Sequence, residues 1–478
     1  MYNLCFSVRK GLEDYSPKIF QKIKSEHDKD AKGIFIAMDA GEAAYVEKTY
    51  GGQDIIICQL AEFMNEHWDE FTLDALMAYE KKYDAAPIWK YIYTDRVLIH
   101  RDYDYCVHTA AGLFAFWEHV FTTYNVDFYF DETVATLLTY TAYLVGAKTG
   151  TGCFTLFFMR SVGMDLTHHY IVNEPFEMMY NLPDDYATRE YPKELMEKAE
   201  KFLTEYETKH EKPAFMKFSG RKPKLKASYL ALPFFYLRQR FFNPYTRDKG
   251  SYIFYRAWED TLQPIKFYFR YLRCKKYFHK ADMTKNFVYY PLHLQPEATT
   301  IVCAQKYEKQ LYFIDNIAKS LPADTVLYVK EHYSFLGSRE ESFYKALQEY
   351  PNVVVIDPWE DSFELIKNSQ CVITLTGTAG MESMLIRHPV IMCGHIIYET
   401  APGVMQVDEI FDNYFQTLES WKQPSREEVI KYLAAYMACA RPGNTYIMSG
   451  DRLKDDNISL LAKSMMDYFN EMKGNTNE

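Results

Sequence analysis

Residues 371–394 read CVITLTGTAGMESMLIRHPVIMCG, and the reading of the whole chain turns on them. Cys371, Val372, Ile373 and Leu375 form an apolar, β-branched run with the composition of a buried strand. Thr376, Gly377, Thr378, Ala379 and Gly380 have no bulky side chain and read as a tight turn. A helical pattern starts near Met381, and a second apolar run spans 389–393. Strand, small-residue turn, helix and strand make one βαβ unit. The first N–H groups of a helix lack partners within it, so such a turn suits an anion such as a phosphate. Thr376 and Thr378 carry hydroxyls that can add hydrogen bonds to the same anion. The same glycines would equally serve plain strand–helix packing. The spacing has neither the Gly-Lys-Ser/Thr of a P-loop nor the GxGxxG of a dinucleotide fingerprint.

A chain of 478 residues exceeds one compact core and predicts two or three domains. Its 48% hydrophobic and 25% charged residues are those of an ordinary globular protein. The 41 Tyr and 33 Phe are many; aromatic surface binds sugar faces or a membrane interface, although most rings belong in cores. Nine scattered cysteines without a C-x-x-C pair indicate neither a disulfide framework nor a zinc site, which fits a reducing cytoplasm. The first residues, MYNLCFSVRKGLEDYS, lack the regions of a signal peptide, and no apolar run reaches spanning length, so the expectation is a cytoplasmic protein. A net charge of −11 argues against nucleic acid as a partner.

Upstream, short apolar runs at 3–8, 33–38 and 54–60 alternate with helical stretches at 14–29 and 41–50, the signature of a parallel sheet. Residues 62–83 read as one helix, 89–93 as a strand, 126–130 as a strand, 133–144 as a helix and 153–159 as a strand. Open α/β sheets hold reactive groups at the carboxyl ends of their strands. Asp131 and Glu132 fall at such an end and are the acid/base candidates, although both residue types also cap helices. The second half repeats the alternation: strands at 287–290, 325–329 and 353–356, helices at 311–319 and 363–368, then the opening stretch. Helices follow at 408–421, 426–439 and 455–472, the last able to cross back onto the first domain. Between the halves, residues 212–280 are strongly basic with interleaved aromatics, as in the run from Phe267 through Arg270 to Tyr271. Such a segment can lie on anionic lipid, hold an acidic glycan or form a solvated connector; Arg270, Arg273, Lys275 and Lys276 are its candidate contacts.

Three polar strand ends then fall on one edge of the second domain: His293 with Gln295 and Glu297, Lys330 with His332, and the turn from Thr376 to Glu382. Lys330 and His332 would supply positive charge to a phosphate, and Glu382 could accept from ribose hydroxyls. That set suits a nucleotide-activated substrate.

The runs YYPLHLQPEATT at 289–300, VKEH at 329–332 and TLTGTAGME at 374–382 resemble the bacterial capsule polysaccharide biosynthesis proteins, which are similar to Kdo transferases and, more distantly, to bacterial sialyltransferases. Asp95-Arg96 and Asp131-Glu132 are similar to the family's N-terminal half. The resemblance implies an α/β chain of two Rossmann-like domains facing a cleft, the GT-B type, with donor-phosphate contacts from His332 in a His-Pro motif and from Thr376 and Thr378 in a Ser/Thr motif. Tyr333 stands where the family usually has Pro, which leaves the turn after His332 less constrained.

The expected division is 1–210 for an acceptor-side domain, 211–284 for the basic aromatic connector, 285–450 for the nucleotide-sugar domain and 451–478 for the returning helix. The expected donor site comprises His293, Gln295, Glu297, Lys330, His332, Thr376, Gly377, Thr378, Ala379, Gly380 and Glu382. The function so read is a glycosyltransferase of surface polysaccharide synthesis, using a CMP-sugar such as CMP-Kdo rather than a UDP-sugar, with no metal and no cofactor. Its partners would be a glycan or glycolipid acceptor, an anionic membrane surface at the inner face of the cytoplasmic membrane, and export proteins. An epimerase or hydrolase of sugar nucleotides, or a non-catalytic assembly or export subunit, are the competing readings.

Overall fold

The computed structural model describes residues 1–9, 11–160, 163–164, 166–210, 223–242, 257–408 and 414–475. Its first sheet is built from β1 (Asn3–Ser7), β2 (Lys32–Ala37), β3 (Ile55–Gln59), β4 (Phe128–Phe130), β5 (Gly152–Phe158) and β6 (His168–Val172). The second contains β7 (Asn286–Pro291), β8 (Thr325–Lys330), β9 (Val353–Ile356), β10 (Val372–Thr374), β11 (Val390–Met392) and β12 (Val404–Gln406). A last short strand, β13 (Arg441–Pro442), returns to the first sheet and pairs antiparallel with β6.

The strand order is β13-β6-β5-β4-β1-β2-β3 in one sheet and β12-β11-β10-β7-β8-β9 in the other. Strands β1 to β5 are mutually parallel, and β6 runs antiparallel to β5. All pairings of the second sheet are parallel. Helices cover both faces, so the strands are continuous apolar runs rather than alternating ones. Both units are therefore Rossmann-like. Each has a point where the strand order reverses, between β1 and β4 in the first and between β7 and β10 in the second, and that is where such sheets open a crevice for ligands.

The helix Asp455–Asn475 crosses back onto the first sheet, burying Leu461, Met465 and Phe469 with Phe6, Phe128 and Phe154; the Phe128 and Phe469 rings stack at 4.2 Å. The helix Arg426–Ala438 packs on Lys193–Lys209, where Arg426 bonds Glu200 at 2.9 Å and Glu207 at 3.3 Å. The two units also share an apolar cluster: Val134 and Tyr140, from the segment after β4, bury against Ala298, Ile301 and Val302.

Several elements differ from the sequence reading. Residues 89–93 are not a strand: Trp89–Ile92 is a helical turn in which the Lys90, Tyr91 and Ile92 N–H groups bond back to Pro87 and Ile88, and the Tyr93 N–H closes it on the Trp89 carbonyl. Asp95 ends it, taking N–H bonds from Val97 at 2.7 Å and Leu98 at 3.1 Å on one oxygen and from Leu137 at 2.7 Å on the other. The expected helix at 62–83 is two, Leu60–Glu66 and Leu73–Lys82, because Phe71 turns into the core and the Thr72 hydroxyl caps a new start. The long helix Tyr103–Thr123 is apolar nearly all round and packs under the first sheet; it lacks the one-sided pattern that marks a surface helix. The helix expected at 408–421 is described as Tyr414–Ser420, with 409–413 outside the described residues.

Candidate functional site

The edge between β7 and β10 is organised by His293. The Gln310 amide brackets its backbone, accepting from the N–H at 2.9 Å and donating to the carbonyl at 3.0 Å, and Arg339 donates to that carbonyl at 2.9 Å. Its ring nitrogen Nε2 accepts from the Thr376 N–H at 3.2 Å and lies 3.2 Å from the Thr374 hydroxyl. Burial holds the imidazole neutral, pushing its pKa down to about 3, with His332 and Arg339 repelling a further positive charge. The other ring nitrogen, Nδ1, is buried without a hydrogen-bond partner.

Thr374 accepts the Gly377 N–H at 2.9 Å, and Thr376 donates its hydroxyl to the Thr299 carbonyl at 2.7 Å, so the Thr376 proton serves the fold. Gly377 and Gly380 are needed for close packing: a Cβ at Gly377 would lie 2.9 Å from the Thr374 hydroxyl, and one at Gly380 would lie 2.5 Å from the Tyr398 hydroxyl, which itself donates to the Gly377 carbonyl. The helix Thr378–Leu385 starts after Gly377 with no side-chain cap. No described group accepts from the N–H of Thr378 or Ala379, and the half-buried Thr378 side chain faces a cavity.

The other expected donor residues divide. His332 is half-buried next to this edge; its Nδ1 accepts the Ser334 N–H at 3.2 Å and its ring stacks on Tyr333 at 4.7 Å. Burial lowers its pKa, with Lys330 and Arg339 adding to the effect against Glu331. Lys330 is turned toward the segment after β9, its ammonium held by the Glu360 carbonyl at 2.7 Å and the Ser362 hydroxyl at 2.6 Å. Gln295 clasps the Glu308 carbonyl, and Glu297 accepts the Thr299 hydroxyl at 2.9 Å. Glu382 lies near Tyr289 and Tyr398, whose hydroxyls are made less acidic by burial and then by its charge. Beneath the edge, fully buried Glu331 takes Arg339 at 2.8 Å, the Tyr344 hydroxyl at 2.5 Å and the His332 N–H at 2.7 Å.

In the first unit, Asp131 and Glu132 follow β4, and Arg9 follows β1 beside them. Asp131 accepts Arg9 at 3.1 and 3.3 Å and the Glu132 N–H at 2.7 Å on Oδ1, and the Tyr129 hydroxyl at 2.7 Å on Oδ2. Glu132 meets Arg9 at 3.2 Å and keeps 40% of its side chain exposed. Burial opposes the charge of Arg9, but the two carboxylates more than offset it.

A small cavity lies between the units, with Arg160, Tyr170 and Glu177 on one wall and Thr376, Thr378, Met381 and Tyr398 on the other. Sequence reasoning missed Arg9, Arg160, Glu177 and Arg339. The strand-end rule that selected Asp131 applies equally to Arg9 and Arg160, each two residues past a strand. Nothing local marks Glu177. Among the described residues, no three His, Cys, Asp or Glu side chains gather as a metal site.

The basic patch is only partly a surface. Arg270 is 7% exposed and braces the Ser338 carbonyl at 2.6 Å and Glu340 at 3.1 Å, while Lys276 pairs with Glu341 at 2.8 Å and Arg273 with Glu341 at 3.6 Å. Lys275 lies over the Tyr271 ring. Arg273, Lys275 and Lys276 are exposed, and so are apolar side chains of the connector: Leu230, Phe234 and Phe241 are 88%, 75% and 53% exposed in and before the helix Leu232–Phe242. The basic residues of 212–222 and 247–256 lie outside the described residues. No described helix is long and apolar enough to cross a membrane.

Two Rossmann-like sheets, with a cavity lined by residues of both units, define a two-domain α/β protein. Residues 236–436 match the family model described as capsule polysaccharide biosynthesis protein. Among solved structures, the chain is similar to a β-Kdo 2,4 transferase, KpsC of Thermosulfurimonas dismutans, at 15% identity and TM-score 0.36 over 69% of this chain and 88% of that one. It is also similar to the β-Kdo 2,7 transferase of that KpsC, at 10% identity and TM-score 0.37 over 74% and 90%. Anabaena HepE in complex with UDP-glucose matches at 10% identity and TM-score 0.29 over 98% and 100%. No curated protein matches the chain.

Proposed function

We propose that this chain is a metal-independent glycosyltransferase of capsular or lipopolysaccharide synthesis, moving a sugar from a nucleotide-activated donor, CMP-linked in preference to UDP-linked, to a glycan or glycolipid acceptor. The observation that carries it is the uncapped helix start at Thr378, at the strand-order reversal of the family-matching unit and open to the cavity between the units. A CMP-sugar has one phosphate between sugar and nucleoside, and one helix N-terminus with the Thr378 hydroxyl and neutral His332 Nε2–H suffices to receive it. The acceptor's proton goes to the Asp131–Glu132 pair. Asp131 already has both oxygens engaged by Arg9, Tyr129 and a backbone N–H, so the half-exposed Glu132 is the carboxylate open to an acceptor hydroxyl.

The test is incubation of the purified chain with labelled CMP-Kdo and UDP-glucose, with and without a membrane glycolipid extract. Acceptor-dependent transfer supports the proposal. Release of free sugar or an epimer supports the hydrolase or epimerase reading, and binding or turnover of neither donor supports the assembly subunit.

Membrane attachment, on this reading, runs through the exposed Leu230, Phe234 and Phe241 with Lys224 and Lys226 beside them, rather than through Arg270. Phe234→Glu with Leu230→Glu should release the protein from phosphatidylglycerol-containing vesicles, whereas Arg273→Gln with Lys276→Gln should have a smaller effect. Wild-type protein that stays off such vesicles at low salt would overturn this attachment.

A further inference from the structure

The cavity between the units contains one pair of charged groups that neither the phosphate contact nor the Asp131–Glu132 pair uses. Arg160 follows β5, with its guanidinium over the rings of Phe157 at 4.4 Å and Phe158 at 5.1 Å. Opposite it, Glu177 is 3% exposed and held at a backbone φ of 56°. A turn sets that conformation: the Glu174 carboxylate accepts the N–H groups of Phe176 at 2.6 Å and Met178 at 2.8 Å. Left-handed backbone is strained for a residue with a side chain and persists where the surroundings enforce it, often at functional sites.

The pair is only loosely engaged. Arg160 Nη2 and Glu177 Oε2 are 3.7 Å apart, beyond hydrogen-bond distance, and both Arg160 Nε and Glu177 Oε2 are buried without a hydrogen-bond partner. Buried polar atoms are nearly always satisfied, so an unpartnered donor next to an unpartnered acceptor, in a cavity, describes the ligand that would complete them. A guanidinium edge takes a planar carboxylate, and a lone carboxylate oxygen takes a hydroxyl. Met381 and Tyr398 supply an apolar and aromatic wall of the kind that meets a sugar face. Thr378, at the phosphate position, lines the same cavity.

We infer that Arg160 and Glu177 form the sugar subsite and select a hydroxylated acid, Arg160 receiving the carboxylate of the transferred sugar and Glu177 accepting from one of its hydroxyls. This rests on the donor-site reading above and extends it to the residues that recognise the sugar. Burial, with Glu297 and Glu174 nearby, raises the Glu177 pKa against the pull of Arg160.

Calorimetric titration of CMP, CMP-Kdo and UDP-glucose into wild type, Arg160→Gln and Arg160→Lys tests this. Wild type is expected to bind CMP-Kdo at least tenfold more tightly than CMP. Arg160→Gln should erase that difference while CMP affinity stays within twofold, and Arg160→Lys, which keeps the charge facing Glu177 and guards against misfolding, should retain part of it. If Arg160→Gln keeps the preference, or weakens CMP and CMP-Kdo alike, Arg160 is not the sugar contact. A wild type that binds CMP without preferring CMP-Kdo overturns the subsite alone, whereas one that binds no CMP overturns the donor site beneath it.

Discussion

The two strand-order reversals occupy equivalent places in their sheets and are built from opposite materials. Between β1 and β4 the first unit sets a cation against two carboxylates, with Arg9 reaching Asp131 at 3.1 Å and Glu132 at 3.2 Å. Between β7 and β10 the second unit sets a neutral imidazole, threonine hydroxyls and the uncapped start of a helix. One layer below, Glu331 and Arg339 neutralise each other, and Arg339 also donates to the His293 carbonyl. The difference fits the proposed division of roles. A site of unsatisfied N–H dipoles attracts an anion without presenting a competing counter-ion. A carboxylate pair steadied by arginine stays available to take a proton from a hydroxyl.

The sharpest way to break this comparison is at the carboxylates. Glu132→Gln should lower transfer by about 100- to 10,000-fold with CMP affinity unchanged, since it removes a general base and no donor contact. If Asp131→Asn does this and Glu132→Gln does not, the arginine-bound carboxylate is the base. Next in size is the support of each edge. Arg339→Met leaves fully buried Glu331 without its counter-ion and should cost about 3–5 kcal/mol of stability in urea titration, against about 2–3 kcal/mol for Arg9→Met, because the Arg9 side chain is a quarter exposed and that of Arg339 is buried. Equal losses would show that the second edge is no more dependent on its buried pair.

The neutral histidines predict an acid dependence. His293 and His169 are pushed down to about 3 and about 4 by burial, so the unfolded chain binds protons that the folded one refuses. Their contribution is complete above about pH 6.5 and is lost as pH falls toward those values, about 2.5 kcal/mol for each by pH 4.5. His293→Gln should flatten part of that slope; an unchanged slope would mean that His293 is charged in the fold. Smallest is Thr378→Val, expected to weaken CMP binding about tenfold with stability within about 0.5 kcal/mol, as one charge-assisted hydrogen bond requires. Unchanged affinity would take Thr378 out of the phosphate site.

Much of this was legible in the chain because parallel strands buried on both faces announce themselves as apolar runs. Val353–Ile356 lies where the reading puts it, whereas the helix expected near Met381 already starts at Thr378 and the turn before it is correspondingly shorter. The helix Tyr103–Thr123 escaped because a helix buried all round has no periodicity to read. Among site residues, the run after β10 was visible through its lack of bulk, yet its glycines prove to accommodate Thr374, His293 and Tyr398, so small size alone did not report a ligand. Lys330 had the right charge at the right strand end and faces another segment, a matter of side-chain direction that spacing does not encode. Glu177 could not be found, because its meeting with Arg160 depends on a turn and on two units closing over it.

The most direct test of these roles is a crystal structure with CMP bound. The account predicts the phosphate at the N–H groups of Thr378 and Ala379, with its sugar-side oxygen directed into the cavity toward Arg160. A phosphate seated on Arg9, or on Lys330 at the far side of β8, would contradict it.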